Sequence, residues 1–151
     1  MNQRVGQKPA QVLLVEDSPT DVLMTQEALE QMNLLSNLHV VEDGVEAVAF
    51  LRRTGSYGHA SRPDLILLDC NLPRKDGREV LAEVKADADL KAIPIVVLTT
   101  SQAERDILTA YSLHANCYIT KPVNLKDFIH AIHAIVTFWF TVVTLPPGYV
   151  P

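Results

Sequence analysis

The chain has 151 residues, 48% of them apolar and 21% charged, which suits one globular domain with a real hydrophobic core. A net charge of −5 argues against a nucleic-acid-binding surface, and two cysteines, Cys70 and Cys117, make neither a disulfide framework nor a paired zinc motif. Residues 1–9 are polar and lack a signal-peptide core, and the apolar concentration at 131–145 is too short and interrupted for a membrane span, so a soluble cytoplasmic protein is expected.

Residues 10–15 read as a buried strand that ends in Glu16-Asp17. Ser18-Pro19 then opens a helix, with proline suited to the first helical position. Val22, Leu23, Leu29 and Met32 supply its apolar side, and residues 33–37 end it. A short second strand spans 38–41, and Asp43-Gly44 makes a turn into a helix marked by Val45, Val48, Ala49 and Phe50. After a loop at 56–63 comes Leu65-Ile66-Leu67-Leu68, a run apolar on both faces, as in a parallel sheet, ending at Asp69. Pro73 and Gly77 prevent simple continuation of that strand, and Val80, Leu81 and Val84 mark a third helix. Residues 94–99 form another fully apolar strand ending in hydroxyls. Residues 103–114 form a fourth helix, with Ile107, Leu108, Tyr111 and Leu113 facing inward. A fifth strand at 117–120 ends at Lys121-Pro122, and Leu125, Phe128, Ile129 and Ile132 begin a fifth helix.

Five strands alternating with five helices predict a flavodoxin-like, doubly wound parallel sheet of order 2-1-3-4-5, the last helix extended at the C-terminus. That order sets the first and third strands side by side at the switch point, where ligands of open α/β sheets bind. Glu16, Asp17 and Asp69 then converge, flanked by Thr99 and Lys121. Singly, each has a plain explanation: helix-capping acids, a turn-starting aspartate, strand-end hydroxyls, a loop lysine. Their joint occurrence at four strand ends points to chemistry. Three close carboxylates call for a cation, and an oxygen-only cluster with open positions suits Mg²⁺ or another divalent ion. A metal, a lysine and a hydroxyl around one carboxylate describe phosphoryl transfer onto that carboxylate.

Val15-Glu16-Asp17, Leu68-Asp69 with Leu72-Pro73 and Asp76-Gly77, Leu98-Thr99, and Tyr118-Ile119-Thr120-Lys121-Pro122 stand in the order seen in receiver domains of two-component response regulators, which the chain resembles from 10 to 133. The resemblance implies that Asp69 accepts a phosphoryl group from a histidine kinase. It implies that Asp17, Asp69 and the backbone carbonyl of Asn71 ligate the metal, with Glu16 acting through water. Lys121 would pair with the phosphate, Thr99 and Tyr118 would be the switch residues, and Lys121-Pro122 a cis bond. Thr100 follows Thr99 where smaller residues are commoner, and Asn71 and Ser101 occupy positions that tune phosphate lifetime. The run Asp69-Cys70-Asn71-Leu72-Pro73-Arg74-Lys75-Asp76-Gly77-Arg78 and the ending Phe138-Trp139-Phe140 also resemble the small response regulators of cyanobacterial and bacterial phytochromes. The implied partner is a phytochrome histidine kinase.

The receiver is expected over 8–133, with 134–151 a C-terminal extension and no room for an output domain. The extension is apolar at nearly every face, so Phe138, Trp139 and Phe140 are expected at a homodimer interface, folding back onto the domain being the alternative. His130 and His133 read as solvated helix residues for want of a third ligand. The competing function is a Mg²⁺-dependent phosphohydrolase with an aspartyl-phosphate intermediate, but Asn71 stands where such enzymes place a second, acid/base aspartate.

Overall fold

A computed structural model describes residues 9–32, 34–100 and 103–146. The strands are β1 (Ala10–Val15), β2 (Ser36–Val41), β3 (Leu65–Leu68), β4 (Ile95–Thr99) and β5 (Cys117–Thr120). They alternate with α1 (Pro19–Glu30), α2 (Gly44–Arg52), α3 (Gly77–Ala86), α4 (Glu104–Ser112) and α5 (Leu125–Thr137). All pairings are parallel and the order is β2-β1-β3-β4-β5, as predicted.

The strand alternation divides the interior. Leu13, Val15, Ile66, Leu68, Ile95 and Val97 face a core that includes Phe50 of α2, Val80 and Leu81 of α3, and Ala110 of α4. Val12, Leu14, Leu65, Leu67, Val96 and Leu98 face the opposite core, with Ala28 and Leu29 of α1 and Phe128 and Ile132 of α5. Covering both faces explains why these strands are continuously apolar. Register then places the chemistry. Val15 lies opposite Leu68, so Glu16 and Asp69 leave the sheet side by side. Thr99 lies opposite Thr120, which delivers Lys121 one residue later.

Helix starts follow local capping. Ser18 Oγ accepts from the Asp21 N–H at 3.3 Å, Asp43 from the Glu46 N–H at 2.8 Å, and Asn124 from the Asp127 N–H at 2.8 Å. Lys85 fastens the end of α3, donating to the carbonyls of Lys91 and Ile93 and to Asn116 Oδ1.

Several expectations are corrected. β2 begins at Ser36, two residues early, because backbone pairing with Ala10 extends it through polar residues that hydrophobic patterning does not register. Asn33, expected at the end of α1, and Ser101 lie outside the described residues. Leu23 is exposed on α1 and Val45 on α2, whose buried sides are carried by Thr25, Ala28 and Leu29 and by Ala47, Phe50 and Leu51. Leu108 and Tyr111 face outward on α4: Ala110 and Leu113 take the inward positions, and that phase turns the larger side chains to solvent. His133 is not simply solvated, since its Nε2 meets the Ala28 carbonyl at 2.8 Å and ties α5 to α1.

The tail differs as well. α5 runs on into a π-helical turn, Phe138–Val142, giving a continuous 18-residue helix from Leu125 with mean hydropathy 1.2, long and apolar enough by composition to cross a membrane. Phe128, Ile132, Ile135 and Val136 nevertheless sit in the second core, where this helix packs on α1. Trp139 and Phe140 fold onto the same core. The Trp139 ring also meets the Cys117 sulfur, opposing the rise that burial imposes on that thiol.

Candidate functional site

The loop after β3 sets the position of Asp69. Arg74 takes a left-handed conformation (φ 65°), and the Gly77 N–H returns to the Cys70 carbonyl at 3.0 Å. A Cβ on Gly77 would lie 2.1 Å from the Asp69 carbonyl oxygen and 2.8 Å from Cys70 Cα, both backbone atoms. Gly77→Ala is therefore expected to cost about 1–3 kcal/mol in urea unfolding and to displace the loop that carries Asp69. Arg74 reaches Asp43 at 3.1 Å and Lys75 pairs with Glu83, holding the loop to α2 and α3.

At the sheet's carboxyl edge, one oxygen each of Glu16, Asp17 and Asp69 lie within 4.8 Å of one another. Glu16 and Asp69 are buried and Asp17 is exposed. Lys121 faces this group with a side chain only 6% exposed, donating to Glu16 Oε1 at 2.5 Å, Asp21 Oδ2 at 2.8 Å and Asp69 Oδ2 at 3.3 Å. Asp69 Oδ1 accepts from the Asn71 N–H at 3.3 Å, and Glu16 Oε2 from the Ser18 N–H at 3.2 Å.

Burial raises the Glu16 carboxyl to about 7, with the Asp69 charge adding to it and the Lys121 hydrogen bond opposing. Burial works against the Lys121 charge, but the carboxylates of Asp21, Glu16 and Asp69 outweigh it and hold the ammonium above its ordinary value. Lys121 thus stays charged at neutral pH. It cannot satisfy all these acids, so the arrangement fits a further cation on the side where Asp17 opens to solvent. Cys70, beside Asp69, is no rival nucleophile, because burial pushes its thiol to about 11 despite the nearby Arg78 charge.

The Thr99 hydroxyl is fully buried and has no hydrogen-bond partner among the described residues. A buried hydroxyl left unsatisfied costs about 1–3 kcal/mol. Thr99→Val, which keeps the shape and removes the orphan, is expected to leave thermal stability equal or raise it by about 1 kcal/mol. A clear fall in melting temperature would mean that the hydroxyl is already satisfied. Thr100 beside it is exposed, and half-buried Tyr118 packs against the first core.

The structure therefore brings together Glu16, Asp17, Asp69 and Lys121, with Asn71 on Asp69 and Thr99 at the end of the neighbouring strand. The three tail aromatics differ in burial: Phe138, its ring edge-on to Trp139, is half exposed, while Trp139 and Phe140 are partly buried in their own domain. The Lys121–Pro122 bond is trans, the described residues containing no cis peptide, which corrects an expectation that contradicted the general preference of X-Pro bonds. Sequence reasoning missed Asp21. An acid in the first turn of a helix ordinarily answers the helix dipole, so nothing local marks it as the partner of a lysine 100 residues away.

A doubly wound sheet with acids, a lysine and an orphan hydroxyl at its carboxyl edge defines an aspartate-based phosphoreceiver. The family model of the response regulator receiver domain matches residues 12–133, and the chain belongs to that family. It is similar to the response regulator Rcp1 of Synechocystis sp., 52% identical over 138 residues that cover 91% of this chain and 94% of that protein. Among solved structures, the phosphorylated cyanobacterial phytochrome response regulator RcpA is 51% identical with a TM-score of 0.90, covering 93% of this chain and all of that one. The Mn²⁺-bound form of Rcp1 is 52% identical with a TM-score of 0.88, covering 92% and 100%. The protein is a signalling phosphoacceptor rather than a turnover enzyme, which sets the phosphohydrolase reading aside. Glu16, Asp17 and Asp69 form a carboxylate cluster of a size that could hold a divalent cation.

Proposed function

We propose that this response regulator accepts a phosphoryl group on Asp69 from a phytochrome-type histidine kinase and signals through protein contacts. The observation that carries the reading is the placement of Asp69 within reach of Lys121 and the acid cluster, one strand from the orphan Thr99 hydroxyl. In the transfer, an Asp69 carboxylate oxygen attacks the phosphorus of a kinase phosphohistidine. The O–P bond forms as the N–P bond breaks, and the electron pair stays on the imidazole nitrogen, the ring leaving neutral with its proton on the other nitrogen. Asp17, Asp69 and the Asn71 carbonyl would hold Mg²⁺, with Glu16 through water. When bound, that ion neutralises charge on the phosphoryl oxygens. Lys121 supplies a second positive charge, and Thr99 donates its hydrogen bond to the new acceptor, relieving its own burial cost. Tyr118 and Thr100 border this change.

The phytochrome partner rests on similarity to Rcp1 and RcpA over nearly the whole chain. Mixing the protein with a phytochrome kinase in each light state and following labelled phosphate tests it. The expected product is acid-stable and hydroxylamine-labile, with transfer differing between light states. Equal failure in both states, alongside labelling by an unrelated kinase, would place the chain in another pathway.

A cytoplasmic homodimer through α4, β5 and the extended α5 completes the proposal. Leu108 and Tyr111 on α4 and Phe138 and Val142 on the tail are exposed apolar residues available to it. Trp139 and Phe140 serve the domain's own core, so removing the tail would confound folding with assembly. Phe138→Glu is the cleaner test. It is expected to leave the unfolding midpoint nearly unchanged and to shift sedimentation of the phosphorylated protein toward monomer. Wild-type assembly in this variant would move the interface away from the tail.

A further inference from the structure

Lys121 has three ammonium hydrogens and three carboxylate partners, Glu16, Asp21 and Asp69. Two of these acids already have a role at the cation site, as members of the cluster with Asp17. Asp21 does not belong to that cluster. Its carboxylate makes a single hydrogen bond among the described residues, to Lys121, at 2.8 Å. That contact is shorter than the one Lys121 makes to Asp69, at 3.3 Å.

The local structure fixes this competition. Ser18 caps α1 by accepting from the Asp21 N–H, which sets Asp21 in the first turn of a helix lying on the same sheet face as α5. Lys121 follows β5 and rises into the group from the other side of Asp69's strand. With a side chain 21% exposed, Asp21 is partly screened, yet it faces an ammonium that is almost fully buried.

A phosphoryl group on Asp69 brings about two negative charges to the ammonium's third partner. To serve that group fully, Lys121 must swing away from Glu16 and Asp21. Glu16 can compensate through the cation; Asp21 has no other hydrogen-bond partner among the described residues and loses its bond. We infer that Asp21 is a positioning residue that competes with the phosphoryl group for Lys121, holding the lysine toward the resting arrangement and weakening the phosphorylated one. This rests on the reading of Asp69 as acceptor and Lys121 as phosphate partner. It concerns a residue outside the acids that build the cation site.

The test uses beryllofluoride, a non-covalent phosphoryl mimic, titrated into the full chain with saturating Mg²⁺ and followed by fluorine NMR. Asp21→Asn is expected to bind beryllofluoride about three- to tenfold more tightly than wild type, the range a partly screened charge contact supplies. Asp21→Glu keeps the competing charge and is expected to stay within about twofold of wild type, and Mg²⁺ affinity without beryllofluoride should change little in either variant. In a Lys121→Ala background, Asp21→Asn should give no gain, because the residue acts through the lysine. Unchanged or weaker binding in Asp21→Asn, the same gain in Asp21→Glu, or a full gain without Lys121 would each overturn the inference. Failure of wild type to bind beryllofluoride at all would instead strike the assignment of Asp69, and this inference with it.

Discussion

Asp69→Asn is expected to abolish phosphoryl uptake while leaving a folded protein. An amide keeps the shape of the side chain and an oxygen to accept from the Asn71 N–H, but it is not a nucleophile toward phosphorus. Its effect on stability has a defined sign. The Asp69 charge is one of the causes that lift Glu16 to about 7, so removing it relieves repulsion inside the cluster. Metal-free Asp69→Asn should therefore be as stable as wild type or more so, by about 1 kcal/mol, with Mg²⁺ adding less to it than to wild type. Label from the kinase appearing on an aspartate of this variant would show that the acceptor lies elsewhere. A large loss of metal-free stability would show that the Lys121–Asp69 contact outweighs the repulsion.

The strands were the most legible part of the sequence. Leu65 to Leu68 and Ile95 to Thr99 are buried without exception, and a fully covered strand needs no helical phase to be recognised. Parallel order fixes which strand ends meet, so Glu16, Asp17, Asp69, Thr99 and Lys121 are legible as a group in the sequence. Helix faces were harder. On α4 a small residue, Ala110, is buried while Leu108 and Tyr111 are exposed; residue size misleads when a short helix has apolar residues on two faces. The tail left two readings open for a related reason. Its all-round apolarity marked a need for cover without deciding between a second copy and its own domain, and Trp139 and Phe140 pack on the second core. Asp21 was invisible because its partner is distant in sequence and its position already has a conventional explanation.

Lys121→Ala is expected to have the largest effect on stability, and pH decides its size. The ammonium is almost fully buried against Glu16, Asp21 and Asp69, and stripping one partner from a buried ion pair costs about 3–5 kcal/mol. In wild type, Lys121 has a raised folded pKa against an ordinary value of 10.5, so its contribution is fully present at neutral pH and disappears only well above that value. Glu16 has the same sign in a lower pH window. Its folded carboxyl is raised from 4.5 to about 7, so the folded state holds the proton more tightly, and metal-free stability falls as pH climbs between those values. Removing Lys121 deletes the hydrogen bond and charge that oppose this rise, so the variant's decline should be steeper and extend to higher pH. Near pH 4.5 Glu16 holds its proton in both proteins and the gap to wild type should narrow. At pH 7.5 in chelator it should be widest, and Mg²⁺ should recover part of it by replacing the lost positive charge. Phosphorylation should persist in Mg²⁺ at reduced yield while the downstream response is lost, because nucleophile and metal acids remain but the phosphoryl group has no ammonium to draw across. Urea midpoints measured from pH 4.5 to 8, with chelator and with Mg²⁺, check every part of this. If Lys121→Ala matches wild type at pH 7.5 without metal, the three carboxylates do not depend on the lysine, and the electrostatic account of the site fails.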